Sequence, residues 1–372
     1  MYVDADCQKI IYKGDKNIMK NIKVAIWGFG AMGSGIGKAL LNKTGVDIVG
    51  VCDLHPNRVG KSIYEITGVD RNGRQDVVIN SKIEEVVPVK GCDVVILATD
   101  SFTAKAYEKI KFLVERGVNV ISTAEEMSYP KANQPELAKK IDELAKANNV
   151  TVLGTGINPG LIMDLLVVCL TGCMTNVEHI TARRINSLSP FGPAVMEEQG
   201  VGLTVKDFND GVASGHLAGH VGFRESVNMI ADAIGWDVTK FEQQMKPIVT
   251  TVDRKSPYGY AKSGDVAGVN MTGQGYVDGK VKIDMVHPQQ IEPEMEGTYT
   301  GDYIELVGTP PVNMSIKPEV DGGIGTIAMC INMIPHVINS DSGLVTMIDL
   351  PVPRAIMGDY TKFVKENKRI VK

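Results

Sequence analysis

Residues 23–33 read KVAIWGFGAMG, and this stretch decides the fold. An apolar run without polar alternation ends directly on a glycine-rich turn, and a helical pattern from Met32 to Leu41 follows. A strand that is apolar on both sides needs cover on both faces, which is the condition of a parallel sheet. In GFGAMG, Gly28 permits the tight turn, Gly30 lets backbone amides approach a pyrophosphate, and Gly33 lets the helix lie close on the strand. The helix N-terminus adds partial positive charge, so Phe29, Ala31 and Met32 join the three glycines as candidate cofactor contacts. An acid at the end of the next strand supports this reading. Asp53, about 20 residues further on, stands where a ribose diol is hydrogen-bonded. Its carboxylate repels a 2′-phosphate and favours NAD, whereas His55 and Arg58 just beyond could accept that phosphate. NAD and NADP both stay open as the cofactor.

Outward from this stretch, VDIVGVCD, VVIN near Val77, DVVILATD, NVIST and VTVLGTG read as further strands separated by helical patterns. The clearest helix is Pro135 to Ala147, with Leu137, Ile141, Leu144 and Ala145 at helical spacing. The alternation predicts an α/β domain over residues 19–158, a doubly wound parallel Rossmann sheet. The pattern changes after Gly160. A helix from Leu161 to Leu170, the alternating VEHITARRINS and a long helical region from about Val195 to Trp236 come next. Strand-like pieces joined by the turn VDGK (277–280) complete this part. Residues 159–324 are therefore expected to form a second α+β domain for substrate binding and oligomerisation. Residues 325–372 are expected to pack back on the first domain. Residues 1–18 read as a loose N-terminal extension or an over-called start ahead of Met19.

A chain of 372 residues with 44% hydrophobic and 22% charged residues has material for two globular domains. The net charge of −5, with no lysine-rich block, argues against a nucleic-acid partner. The longest apolar run is broken by Asp164 and is too short for a membrane span, so no membrane partner is expected. The six cysteines (7, 52, 92, 169, 173 and 330) show no CxxC pair and no metal-finger spacing. Cys169 and Cys173, four apart, read as small core residues, with a redox pair or half a metal site as the alternative, and no complete metal site is expected. Free thiols point to a reducing, cytoplasmic setting.

Ligands of a doubly wound sheet bind outside the carboxyl ends of its strands. With the adenosine end at the first strands, the nicotinamide falls over the later ones. Their ends carry Ala98-Thr99-Asp100-Ser101, Thr123-Ala124-Glu125-Glu126 and Gly154 to Gly160, so Ala98, Thr99, Asp100 and Asn158 are candidate cofactor contacts. Glu125 and Glu126 are the candidate catalytic residues. Successive side chains of an extended segment face opposite sides, so one faces the ring while the other anchors the loop or caps the next helix. On the strand ARRINS, one of Arg183 and Arg184 faces inward, where a guanidinium suits a carboxylate. His216 and His220, four apart on an expected helix, could pack, touch substrate or hold a metal. Asp164 could be a helix-surface acid or a buried partner for one of these cations.

Together, WGFGAMG, VVILATDS, VISTAEEMSYP, GTGINPGLIMDLL and GHVGFRES resemble the 2,4-diaminopentanoate dehydrogenase family, from Ile22 almost to the C-terminus. The resemblance implies NAD(P)-dependent oxidative deamination of 2,4-diaminopentanoate to 2-amino-4-oxopentanoate and ammonia, in ornithine fermentation. It also implies kinship with amine dehydrogenases, a homodimer, and His220 lining the substrate cleft. The N-terminal half is similar to dihydrodipicolinate reductase, but the His-His, Lys and SGT signature of that enzyme's second domain is missing. Homoserine dehydrogenases carry Asn-Lys where Glu125-Glu126 stand, which argues against a lysine-dependent alcohol oxidation. Amine oxidation gives a carboxylate work, because an ammonium must lose a proton before hydride can leave and the imine must then be hydrolysed. Glu125 is the first choice for the base and Glu126 the alternative. Two further readings are a nicotinamide-dependent reductase or dehydrogenase of another amino-acid intermediate, and a non-catalytic dinucleotide sensor.

Overall fold

The computed structural model describes residues 20–371. The expected extension over residues 1–18, Met19 and Cys7 lie outside the described residues. The apolar run after Asn21 becomes β1 (Ile22–Trp27), joined by β2 (Val46–Cys52), β3 (Val94–Leu97), β4 (Asn119–Ser122) and β5 (Thr151–Gly154). Every residue of β3, β4 and β5 is buried, because helices cover both faces of the sheet. Those helices are α1 (Ala31–Leu41), α2 (Ile63–Thr67), α3 (Ile83–Val86), α4 (Thr103–Glu115) and α5 (Pro135–Ala147). VVIN near Val77 is not a strand. Val78 and Asn80 make only single bridges, to Ser62 and Cys52, and Asn80 turns the chain by accepting a hydrogen bond from the Lys82 N–H at 2.9 Å.

The second half begins with α6 (Leu165–Thr171) and β6 (Asn176–Ser187), followed by α7 (Pro193–Glu198), α8 (Val205–Ala213) and α9 (Phe223–Ile234). The strands β7 (Lys240–Val249), β8 (Arg254–Lys255), β9 (Tyr260–Ala261), β10 (Val266–Val277), β11 (Lys280–Gln290), β12 (Gly301–Thr309) and β13 (Val312–Ile316) follow. Six of these form a mixed sheet in the order β13-β12-β6-β11-β10-β7. β6 runs parallel to β11 and antiparallel to β12. The VDGK turn closes the β10–β11 hairpin, with Asp278 and Gly279 both at positive φ, as a right-twisted two-residue turn requires. One face of the sheet buries Ile180, Ala182, Met271, Ile283 and Met285 against Val167 of α6 and Phe223 and Val227 of α9.

Two helical expectations change. The expected single region from Val195 to Trp236 is three helices, broken by glycines with left-handed φ such as Gly215 (73°). The helix expected from Leu161 starts only at Leu165, where the Asp164 side chain caps it. It stops at Thr171, so Cys169 and Cys173 are exposed rather than core residues. The chain then returns to the first sheet. The helix α10 (Gly322–Asn339) packs Met329, Met333, Ile334 and Val337 into the core of Ile26, Ile36 and Leu40. Beyond it, β14 (Gly343–Val345) pairs with β5, giving the parallel order β14-β5-β4-β3-β1-β2. No helix among the described residues is long and apolar enough to cross a membrane.

The end of β5 abuts the turn Glu125–Ser128 closely. A Cβ on Gly154 would lie 2.1 Å from the carbonyl carbon and oxygen of Met127. Gly154→Ala must push that turn away, and urea unfolding should show a loss of about 1–3 kcal/mol.

Candidate active site

The glycine-rich turn has the geometry of an anion cradle. Gly28 sits at φ 91°, and a side chain there would meet the Ala98 carbonyl oxygen at 2.4 Å. A Cβ on Gly33 would come within 1.8 Å of the Gly28 oxygen, so the helix rests directly on the strand end. Gly30 opens instead onto free space, its nearest neighbour being Arg58 Nη1 at 3.9 Å. Asp53 accepts hydrogen bonds from the N–H groups of Phe29 (2.6 Å) and His55 (2.7 Å), with Arg58 Nη1 at 3.4 Å. Burial opposes its ionisation, yet these amides and the Arg58 charge hold the carboxyl below the usual range. Phe29, Ala31 and Met32 stand with the three glycines and Asp53 at the carboxyl ends of β1 and β2. A turn in which Gly28 and Gly33 admit no side chain and Gly30 leaves open space, followed by an ionised acid, fits a nicotinamide dinucleotide.

The next strand ends border a cavity of about 450 Å³ lined by Met32, Ala98, Thr99, Asp100, Asn158 and Glu125. Asp100 is held at its rim by Lys109, whose Nζ lies 2.7 Å from the carboxylate. A second cavity of about 260 Å³ continues it under the second sheet, lined by Glu125, Asn158, Arg184, His220 and His287 among others. Glu125 is common to both.

The two adjacent glutamates part company at the turn after β4. Glu126 is buried, and its carboxylate accepts the Thr103 N–H at 2.7 Å, capping α4 from outside that helix. Glu125 points into the cavities. Burial raises its proton affinity, and the Glu198 charge adds to the rise, while the Ser101 hydroxyl and a backbone hydrogen bond lower it. Behind Glu126 lies a further buried acid, Glu225, which accepts from Asn133 Nδ2 at 2.6 Å. Burial and the Glu126 charge push Glu225 up to about 7.

The second sheet supplies the facing wall. Of the arginine pair, Arg184 faces inward and Arg183 outward, over the Tyr303 ring on the exposed face. Arg184 is 2% exposed and is held by Asp302 at 2.6 Å and by the Val320 carbonyl. His220 lies in the loop before α9 and His216 just after α8, so no shared helix face presents them. Among the described residues no cluster of His, Cys, Asp and Glu could hold a metal ion. His220 Nε2 accepts from Asn158 Nδ2 at 3.2 Å, and its ring meets His287 edge-on at 4.8 Å between centroids. Burial and the Arg184 charge lower His220 to about 4, so the ring is neutral at neutral pH. Among the described residues Asp164 pairs with no cation. It is fully buried and accepts from the Gly160 and Leu165 N–H groups, both at 2.7 Å, and from the Ser226 hydroxyl at 3.0 Å, pinning the Asn158–Gly160 turn.

Sequence reasoning missed His287, Asn186, Gln289, Gln199 and Glu198, which complete the inner cavity. A signal for two of them was present. With Arg184 facing in, strand alternation puts Asn186 on the same face, as it puts Gln289 beside His287.

The comparisons agree with this architecture. Residues 161–366 match the family described as 2,4-diaminopentanoate dehydrogenase C-terminal domain. Residues 22–152 match that described as dihydrodipicolinate reductase, N-terminus. The 2,4-diaminopentanoate dehydrogenase of Acetoanaerobium sticklandii is 61% identical over 355 residues, covering 95% of this chain and 100% of that one. The chain belongs to the 2,4-diaminopentanoate dehydrogenase family. An amine dehydrogenase of Streptomyces virginiae is 21% identical over 90% of this chain and 98% of its own. The structure of an amine dehydrogenase from Mycobacterium smegmatis superposes with a TM-score of 0.81 at 26% identity, covering 91% of this chain and 98% of that one. Members of this family are nicotinamide-linked oxidoreductases acting on an amine.

The raised Glu225 gives a pH-dependent prediction. Its neutral form is preferred in the folded state, so its stabilising effect is complete below the unfolded glutamate range. That effect is lost as pH rises through about 7. Glu225→Gln keeps the neutral form at every pH. Urea unfolding should show equal stability for variant and wild type at about pH 3.5, with the variant ahead by on the order of 2 kcal/mol at pH 8.

Proposed function

We propose that this chain oxidatively deaminates 2,4-diaminopentanoate at C4 in a reversible, NAD(P)-dependent reaction that yields 2-amino-4-oxopentanoate and ammonia. The observation that carries the reading is the division of the glutamate pair. Glu126 is spent on the α4 N-terminus, and of the pair it is Glu125 that lines both cavities. In this reading Gly28, Phe29, Gly30, Ala31, Met32, Gly33 and Asp53 hold the pyrophosphate and adenosine ribose. Ala98, Thr99, Asp100 and Asn158 hold the nicotinamide side. The nicotinamide, when bound, accepts the hydride.

Every proton step falls to the chain. Glu125 takes a proton from the 4-ammonium, freeing the lone pair that drives hydride from C4. Glu125 releases that proton to solvent, and the substrate iminium that results is attacked by water. The regenerated Glu125 carboxylate takes a proton from that water and returns it to the nitrogen, which leaves as ammonia as the C4 hydroxyl loses its proton to form the ketone. A carboxyl with raised proton affinity is matched to taking up and returning protons in this way. Arg184, already oriented by Asp302, binds the substrate carboxylate. His220, neutral at working pH, lines the cleft beside Asn158 and adds no positive charge against the ammonium groups. Arg183 lies outside this site, on the outward face of the second sheet. A homodimer, as the likeness to this family implies, belongs to the same reading. The five free cysteines among the described residues support a cytoplasmic setting.

For the cofactor, Asp53 supports a preference for NAD, with Arg58 beside it able to receive a 2′-phosphate. Arg58→Ala should lower kcat/KM with NADP about tenfold more than with NAD. Glu125→Gln should lower kcat by about 10²–10⁴-fold with NAD affinity nearly intact, read as NADH formation and ammonia release. Wild-type enzyme that forms neither product from 2,4-diaminopentanoate would rule the substrate out. A Glu126→Gln variant that stays folded and loses as much kcat as Glu125→Gln would reassign the base.

A further inference from the structure

Glu198 is an exposed carboxylate at the end of α7, and the chemistry above leaves it without work. It lines both cavities together with Glu125, and its charge is felt at the Glu125 carboxyl. Among the described residues no cation or donor is paired with its side chain. Its place is set from both sides. Its backbone carbonyl accepts the Gly219 N–H of the His220 loop at 3.5 Å, and its neighbour Gln199 is buried in the cavity wall.

The polar atoms around it are unsatisfied in a telling way. Gln199 Oε1 and His287 Nδ1 are buried, line the inner cavity and have no partner. His287 gives its Nε2 proton to Asn186 Oδ1 at 2.9 Å, which leaves Nδ1 a bare acceptor. Gln289 Nε2, in the same wall, is a buried donor without an acceptor. Buried polar groups left open on a cavity call for a polar ligand, and these ask for a donor group and a smaller share of acceptor. The charged lining says the same. The inner cavity carries two carboxylates, Glu125 and Glu198, and one guanidinium, Arg184, while burial keeps both histidines neutral. An amino acid with a second amine carries two ammonium groups and one carboxylate, the opposite set.

Resting on the proposed reaction, we propose that Glu198 binds the 2-ammonium group of the substrate, and that this contact selects a 2,4-diamino acid over a 4-amino acid lacking the 2-amino group. Arg184 and the Gln289 amide then hold the carboxylate, and Gln199 Oε1 and His287 Nδ1 accept the remaining ammonium protons. This arrangement leaves the 4-amine for Glu125. A neutral pocket would accept either acid, whereas an unpaired carboxylate discriminates against the ligand that cannot neutralise it.

The test compares 2,4-diaminopentanoate with 4-aminopentanoate in wild type, Glu198→Gln and Glu198→Asp. Glu198→Gln should lose about 10–100-fold in kcat/KM with the diamino acid, mostly through KM, and far less with 4-aminopentanoate, so that the preference collapses. Glu198→Asp should restore part of it. An equal loss with both substrates would place Glu198 on the cofactor side and overturn the proposal, as would no loss with either. Calorimetric binding of the diamino acid to the NADH complex reads recognition without turnover. Wild type that binds it about tenfold or more tighter than Glu198→Gln, yet forms no NADH from it with NAD, would overturn the reaction and uphold the recognition. Equal binding by the two proteins would overturn the recognition alone.

Discussion

The hydrogen bond from the Thr103 N–H to the buried Glu126 carboxylate sets the orientation of the turn after β4. The first amides of a helix lack intrahelical partners, and α4 has no side-chain cap of its own from Phe102. A carboxylate delivered from the neighbouring strand end meets that need and gains the favourable end of the helix dipole. Its neighbour is thereby turned the other way. Glu125 faces the cavities because Glu126 cannot, and Gly154, which admits no Cβ beside Met127, holds the whole turn against β5.

Around that turn, buried hydrogen bonds hold the walls of the site. Asp164 uses both oxygens on the Gly160 and Leu165 amides and adds the Ser226 hydroxyl, tying the Asn158 turn to α9. Asp302 and the Val320 carbonyl fix Arg184 in the second sheet, so its guanidinium is aimed before any ligand arrives. Thr326 of α10 accepts the Ile157 N–H at 3.2 Å, linking the returning helix to the same turn. Arg184 is thus positioned by buried hydrogen bonds, which limits its reorganisation when an anionic group binds.

Much of the fold was legible in the sequence because backbone needs write themselves locally. GFGAMG after an apolar run, with Asp53 following, implies a strand, a turn and a helix whose geometry only glycine permits, and VDGK implies a hairpin. The failures are equally local. VVIN has strand composition, but Asn80 turns the chain before a ladder forms. The four-residue spacing of His216 and His220 suggests one helix face, but left-handed Gly215 breaks the helix before either is reached. The candidate site was legible in its residue types and only partly in their directions. Alternation says that one of Arg183 and Arg184 faces in, while the pairing of β6 with β12, which sets Asp302 opposite Arg184, decides which. Likewise, nothing near Glu125-Glu126 in the sequence reveals that the open end of α4 lies beside them, since Thr103 is 23 residues away. His287 escaped notice because its partner Asn186 stands on a strand 101 residues distant.

The central claim is that Glu125, and not Glu126, meets the reacting amine. A crystal structure of the complex with NADH and bound 2,4-diaminopentanoate tests it most directly. The account predicts a Glu125 carboxylate oxygen within hydrogen-bond distance of the 4-amino nitrogen, about 2.6–3.2 Å, with Glu126 still on the Thr103 N–H. A structure in which Glu126 has left α4 to reach that nitrogen, or in which Glu125 points away from it, would contradict the account.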